Sequence, residues 1–227
     1  MLLPIGDDNT ERTSFPIVTL LLIAINAIVF YIELQYGDAF VYRYAVIPAK
    51  LFSGEQSYLN IVSSMFLHGG FAHIFGNMLY LYIFGDNVED NLGKGKFLIF
   101  YLLCGFAAML VQSLADPTST IPNIGASGAI AGVLAGYLIL FPRNRVRVLI
   151  FFPFTMIMSA WFVLGLWIVT QLFSGWTSQF NQAATAQGGI AYMAHIGGFF
   201  TGIILTFIFR RRQAQKGVVH RLGMRSS

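Results

Sequence analysis

Residues 124–141 read IGASGAIAGVLAGYLILF, an apolar run without a single charged side chain. Small residues recur every fourth position at Gly128, Gly132 and Gly136. That spacing lines one face of a helix and lets a second backbone approach closely in lipid, where packing rather than hydrophobicity drives association. The partner stripe is Ala194, Gly198 and Gly202, again four apart, within a second apolar run. Ser127 immediately precedes the first small residue of one stripe, and His195 immediately follows the first of the other. The two runs therefore predict a close helix pair that carries a serine and a histidine at one end.

The rest of the chain has the same character. Of 227 residues, 56% are hydrophobic and 11% charged, against roughly 25% charged in soluble domains. This is the composition of an all-α polytopic membrane bundle. At about 20 apolar residues per crossing, six spans are expected. They are residues 16–31, 61–85 (its first part a loop), 97–115, 124–141, a long run over 148–175, and 189–209. Pro153 predicts an interfacial or broken start to the fifth, and Thr177–Gln187 a polar linker before the sixth. The organisation is a short tail over 1–14, one bundle domain over 15–210, and a basic tail over 211–227.

Twelve Lys and Arg fall on one side of this arrangement, and only Arg43 and Lys50 on the other. The positive-inside rule then puts both termini in the cytoplasm. Residues 35–60, mixing apolar side chains with few charges, are expected to lie in the opposite interface. Residues 1–14 carry Asp7, Asp8 and Glu11 and no basic leader, so no signal peptide is expected. The net charge of +4 gathers at span ends, which argues against a nucleic-acid partner. Cys104 excludes an internal disulfide and reads as a small core residue.

The second, fourth and sixth spans all begin at the outer face, so Ser127, His195, His73 and Asn77 fall in one layer. His73 and Asn77 are four apart and share a helical face. A serine hydroxyl needs a base to take its proton, and imidazole is the usual one near neutral pH. The nearest carboxylates, Asp116 and Glu89, are expected in connecting segments, so the arrangement predicts a Ser–His dyad. Asn77, His73 and the backbone N–H of Ser127 are candidate donors to an oxyanion. His68 and His73 are five apart and out of phase on a helix. No metal site or cofactor is expected.

With Gly125-Ala126-Ser127-Gly128, Ala194-His195-Ile196-Gly197-Gly198 and the His68, His73, Asn77 spacing, the sequence resembles the rhomboid family of intramembrane serine proteases, in its compact six-span bacterial form. Val88-Glu89-Asp90-Asn91-Leu92-Gly93 supports the resemblance. It implies Ser127 as nucleophile, His195 as general base, Asn77 and His73 in the oxyanion site, and Trp167 near a lateral gate. Where some members of the family carry Trp-Arg before the loop histidine, this chain has Leu59-Asn60. Where some stack a tyrosine on the base, it has Ala131.

The reading is an endopeptidase of the bacterial inner membrane, its site toward the outer face. It would act on transmembrane protein substrates that enter sideways from the bilayer between the second and fifth spans. A transporter needs polar groups through both halves of the membrane, yet residues 134–141 and 203–209 are nearly all apolar. A non-proteolytic chaperone for membrane helices would be indifferent to loss of Ser127.

Overall fold

The computed structural model describes residues 3–10, 12–178 and 191–210. The linker expected before the sixth span lies mostly outside these residues, and the basic tail over 211–227 entirely so.

The described chain is an all-α membrane bundle of α1 (Ile17–Tyr36), α5 (Phe71–Leu92), α6 (Lys94–Ala115), α7 (Ser127–Leu140), α8 (Ala160–Ser178) and α9 (Tyr192–Phe209). Four of these, α1, α6, α8 and α9, are long and apolar enough to cross a membrane. Their outward faces are strongly apolar: Leu21 and Ile28 on α1, Trp161 and Phe173 on α8, Ile204 and Ile208 on α9 are all exposed. A surface of that kind is stable against hydrocarbon rather than water. The other two helices fall short for separate reasons. α5 is long enough but carries Asp86, Glu89 and Asp90. α7 has 14 residues, about 21 Å of helix against a hydrocarbon core of about 30 Å.

α7 is short because it meets no lipid over most of its length. Every residue from Gly128 to Tyr137 is buried, enclosed by α5, α6, α8 and α9. The seam between α7 and α9 follows the two small-residue stripes. A Cβ built on Gly198 would collide with the backbone of Gly128, and one on Gly202 would lie 2.6 Å from Gly132 Cα. On its other side α7 meets α6, with Cys104 packed against Gly132. Cys104 is free and buried, as a small core residue should be.

Two expectations need correction, and a third takes an unforeseen form. The run over 148–175 is broken at Pro153 as expected, but into strands: β2 (Arg145–Phe151) and β3 (Phe154–Ser159) form an antiparallel hairpin before α8 begins. β1 (Leu3–Asp7) pairs antiparallel with β2, which makes a three-stranded sheet at the end of the bundle away from Ser127. A short apolar run such as Val148–Phe152 has no periodicity that separates strand from helix. Glu89 and Asp90 lie in the last turns of α5, not in a connecting segment. Finally, α9 starts at Tyr192 rather than at the expected residue 189, so His195 sits in its first turn.

At the Ser127 end, residues 35–60 fold into short helices α2 (Asp38–Tyr44) and α3 (Pro48–Ser53), followed by α4 (Leu59–Ser63). Ala45, Val46, Ile47 and Leu51 are buried under them. Polar side chains pin the loop by its carbonyls: Asn60 donates to Arg43 O and Ala45 O, Gln56 to Ala45 O, and Ser63 to Tyr44 O. Asn60 thus anchors the loop by bonding its backbone directly.

Candidate active site

Ser127 is the first residue of α7, reached through a tight approach. Gly125 has φ +120° and its N–H donates to Ser64 O at 2.9 Å. A Cβ at Gly125 would lie 2.9 Å from both Cε1 and Nε2 of His73, and 3.8 Å from Ser127 Oγ. Only glycine suits that place, by conformation and by space. The same measurement puts the His73 ring edge and the Ser127 hydroxyl around one point.

His73 is oriented by its own loop. The Gly69 N–H donates to His73 Nδ1 at 3.2 Å. A backbone N–H can only donate, so Nδ1 accepts and the neutral ring carries its proton on Nε2, the atom that faces Gly125. His68 is buried beside it, ring centroids 5.1 Å apart and edge to face. Asn77, one turn further along α5, is buried, and its Nδ2 donates to no acceptor among the described residues.

His195 arrives from α9. A Cβ on Gly128 would lie 3.4 Å from Ala194 O and 3.7 Å from Ala194 Cβ. The residues next to Ser127 and next to His195 are therefore in contact. No hydrogen bond joins Ser127 Oγ to His195 among the described residues. The imidazole is held from α8 instead, with Nδ1 2.7 Å from Gln171 Oε1 and the Trp167 ring at 5.7 Å and 37°. Trp167 and Gln171 are one helical turn apart and cover the ring left bare by Ala131.

One carboxylate that the sequence does not single out lies beside the loop histidine. Glu33, at the end of α1, is buried and accepts the His68 N–H at 3.0 Å. It holds a backbone amide rather than an imidazole nitrogen, so it orients the loop. Asp116 closes α6. Among the described residues no three His, Cys, Asp or Glu side chains are placed to hold a metal ion.

The fold is that of a polytopic membrane protein with polar side chains gathered at one end of a buried central helix. Residues 55–212 match the family model described as Rhomboid domain, and the chain belongs to the rhomboid family. It is similar to Rhomboid-like protein 11, chloroplastic, of Arabidopsis thaliana, with 25% identity over 71% of this chain and 56% of that protein. It is similar also to Rhomboid protein 1, mitochondrial, of Saccharomyces cerevisiae, 30% identical over 65% of this chain and 41% of that one. Rhomboid protease GluP of Bacillus subtilis is 32% identical over 60% of this chain and 28% of its own length. The match thus spans about half or less of each of these relatives.

Proposed function

We propose that this chain is an intramembrane serine endopeptidase that hydrolyses peptide bonds in or near transmembrane segments of other membrane proteins. The observation that supports this reading best is the contact of Gly128 with Ala194, the chain neighbours of Ser127 and His195, with the His73 ring edge near the Ser127 hydroxyl. Family membership and relatives bearing the name protease support it.

In this mechanism Ser127 Oγ attacks the scissile carbonyl carbon while its proton passes to His195. The developing oxyanion takes hydrogen bonds from Asn77 Nδ2, His73 Nε2–H and the Ser127 N–H. α7 begins without a side-chain cap, which leaves its first N–H groups available. Collapse breaks the C–N bond, and His195 returns the proton to the leaving amine. Water then attacks the acyl ester, gives a proton to His195, and the proton returns to Ser127 as the acid leaves. The absence of a Ser127–His195 bond fits a resting enzyme, in which such bonds are often long.

In the same reading the chain crosses the bilayer six times, α5 and the buried α7 included, with both termini cytoplasmic. The setting is a bacterial inner membrane, and the site opens toward the outer face. Substrate helices enter between α5 and α8, because a lipid-borne helix cannot come from water. They unwind locally to present a carbonyl free of its helical hydrogen bond.

The test uses purified protein in liposomes with a panel of single-span substrates, product masses locating the cut. Wild type is expected to cleave, and a fluorophosphonate to label Ser127. Ser127→Ala should fall by at least ~10⁴-fold, the scale of losing a nucleophile, at unchanged melting temperature. A folded Ser127→Ala protein that cleaves at the wild-type rate overturns the proposal.

A further inference from the structure

A general base must offer an unprotonated nitrogen to its nucleophile, and imidazole has two neutral tautomers. In a Ser-His-Asp triad a carboxylate chooses between them. Here Nδ1 of His195 faces an amide, Gln171, whose oxygen and nitrogen would have opposite effects. The choice between them is made on α8. Thr170 Oγ1 donates its one proton to the Trp167 carbonyl at 2.6 Å. Toward Gln171 that oxygen can offer only lone pairs, so the group 3.3 Å away must be the amide NH₂. The Gln171 oxygen is then turned to His195, at 2.7 Å. An acceptor opposite Nδ1 draws the ring proton there and leaves Nε2 with its lone pair.

We propose that Trp167, Thr170 and Gln171 form a directional hydrogen-bond relay on α8 that fixes the tautomer and plane of His195, with Gln171 as a positioning residue where a triad would have its acid. The proposal rests on His195 being the base of the protease reading. The Trp167 indole, tilted 37° to the imidazole, restrains the ring plane. A neutral amide orients the ring but adds no charge to stabilise an imidazolium. Its loss should therefore cost less than the ~10⁴-fold of losing a triad carboxylate.

The experiment reads the His195 side-chain ¹⁵N resonances of the full-length protein in bicelles above pH 8, beside cleavage kinetics. In wild type the proton should reside on Nδ1. Gln171→Leu should bring a mixed or Nε2–H tautomer and a kcat lower by roughly 10- to 100-fold, short of the triad-acid loss, with KM little changed. Gln171→Glu keeps an oxygen acceptor and should restore the Nδ1–H signal and most of kcat. Thr170→Val, at an exposed position, should give an intermediate tautomer mixture and serves if Gln171→Leu does not fold. A wild-type proton on Nε2, or Gln171→Leu with wild-type tautomer and kcat, overturns the relay. Wild type that cleaves nothing, or whose cleavage survives Ser127→Ala, breaks the protease reading instead.

Discussion

The two ends of the bundle both bury polar groups, but they use them differently. At the sheet end every carboxylate among the described residues is engaged. Glu89 accepts the N–H groups of Val18 and Thr19 and the Thr19 hydroxyl, capping the first turn of α1. Asp90 accepts from Thr13 and Ser14. Asp86 pairs with Arg12 at 2.6 Å, and Asp7 accepts from Tyr137 and Asn87. At the Ser127 end the groups are half engaged: His73 and His195 each have one ring nitrogen committed, and Asn77 Nδ2 is unpartnered among the described residues. Buried polarity that is fully satisfied holds a structure together, while a buried donor without an acceptor costs stability. Such a donor is worth keeping where a transient charge is to be received.

Removing polarity from each end should separate these roles. The largest effect is expected from Asn77→Ala, which in the proposed mechanism loses a donor used only when charge develops. Turnover should fall by on the order of 100-fold with KM and melting temperature nearly unchanged. A rise in KM alone would make Asn77 a substrate-binding residue and erase the contrast. Glu89→Ala should do the reverse. It leaves buried N–H groups of α1 without acceptors, a loss of about 1–3 kcal/mol in stability, visible as a lower melting temperature. Turnover per folded molecule should stay within twofold. If turnover collapses while the fold persists, the two ends are not independent.

The smallest effect concerns pH. Burial pushes the Asp7 carboxyl up to about 6, against the pull of its Tyr137 hydrogen bond and with the charges of Asp86 and Asp8 adding to the rise. The unfolded value is 3.8, so between these values the folded chain holds a proton that the unfolded chain releases. Stability therefore falls as pH rises through about 6. Melting temperature should be higher at pH 5 than at pH 7, and Asp7→Asn should shrink that difference, a shift of a few degrees at most. An unchanged difference in the variant would assign the pH dependence to other groups.

How much of this was readable in the sequence differs by region. The α7–α9 seam was, because a four-residue repeat of small side chains has one physical use in lipid, and Gly198 and Gly202 do meet the backbones of Gly128 and Gly132. Ser127, His195, His73 and Asn77 were legible as residues, since polar groups are scarce in apolar runs. Gln171 was passed over because one amide in a span forms no motif. Its signal was the four-residue step from Trp167, which puts both on one face of α8. The sheet is harder to read, because Leu3–Asp7 is too short to show a period and the alternation of Arg145-Val146-Arg147-Val148 is lost at once in the apolar run that follows. The role of Glu89 as a cap on α1 has no local signal, since its partners Val18 and Thr19 lie some 70 positions away.

The pairing of β1 with β2 also sets an order of assembly. Leu3 meets Leu149 and Asp7 meets Val146, so β1 leaves the ribosome ahead of a partner made after four of the bundle helices. Closing so long a loop is entropically costly, and chains are built from the N-terminal side. The strand at residues 3–7 therefore remains without its β2 partner while α1, α5, α6 and α7 are being made. Its docking, with Asp7 reaching Tyr137 on the buried helix, becomes a late latch that forms only on a bundle whose central helix is already in place.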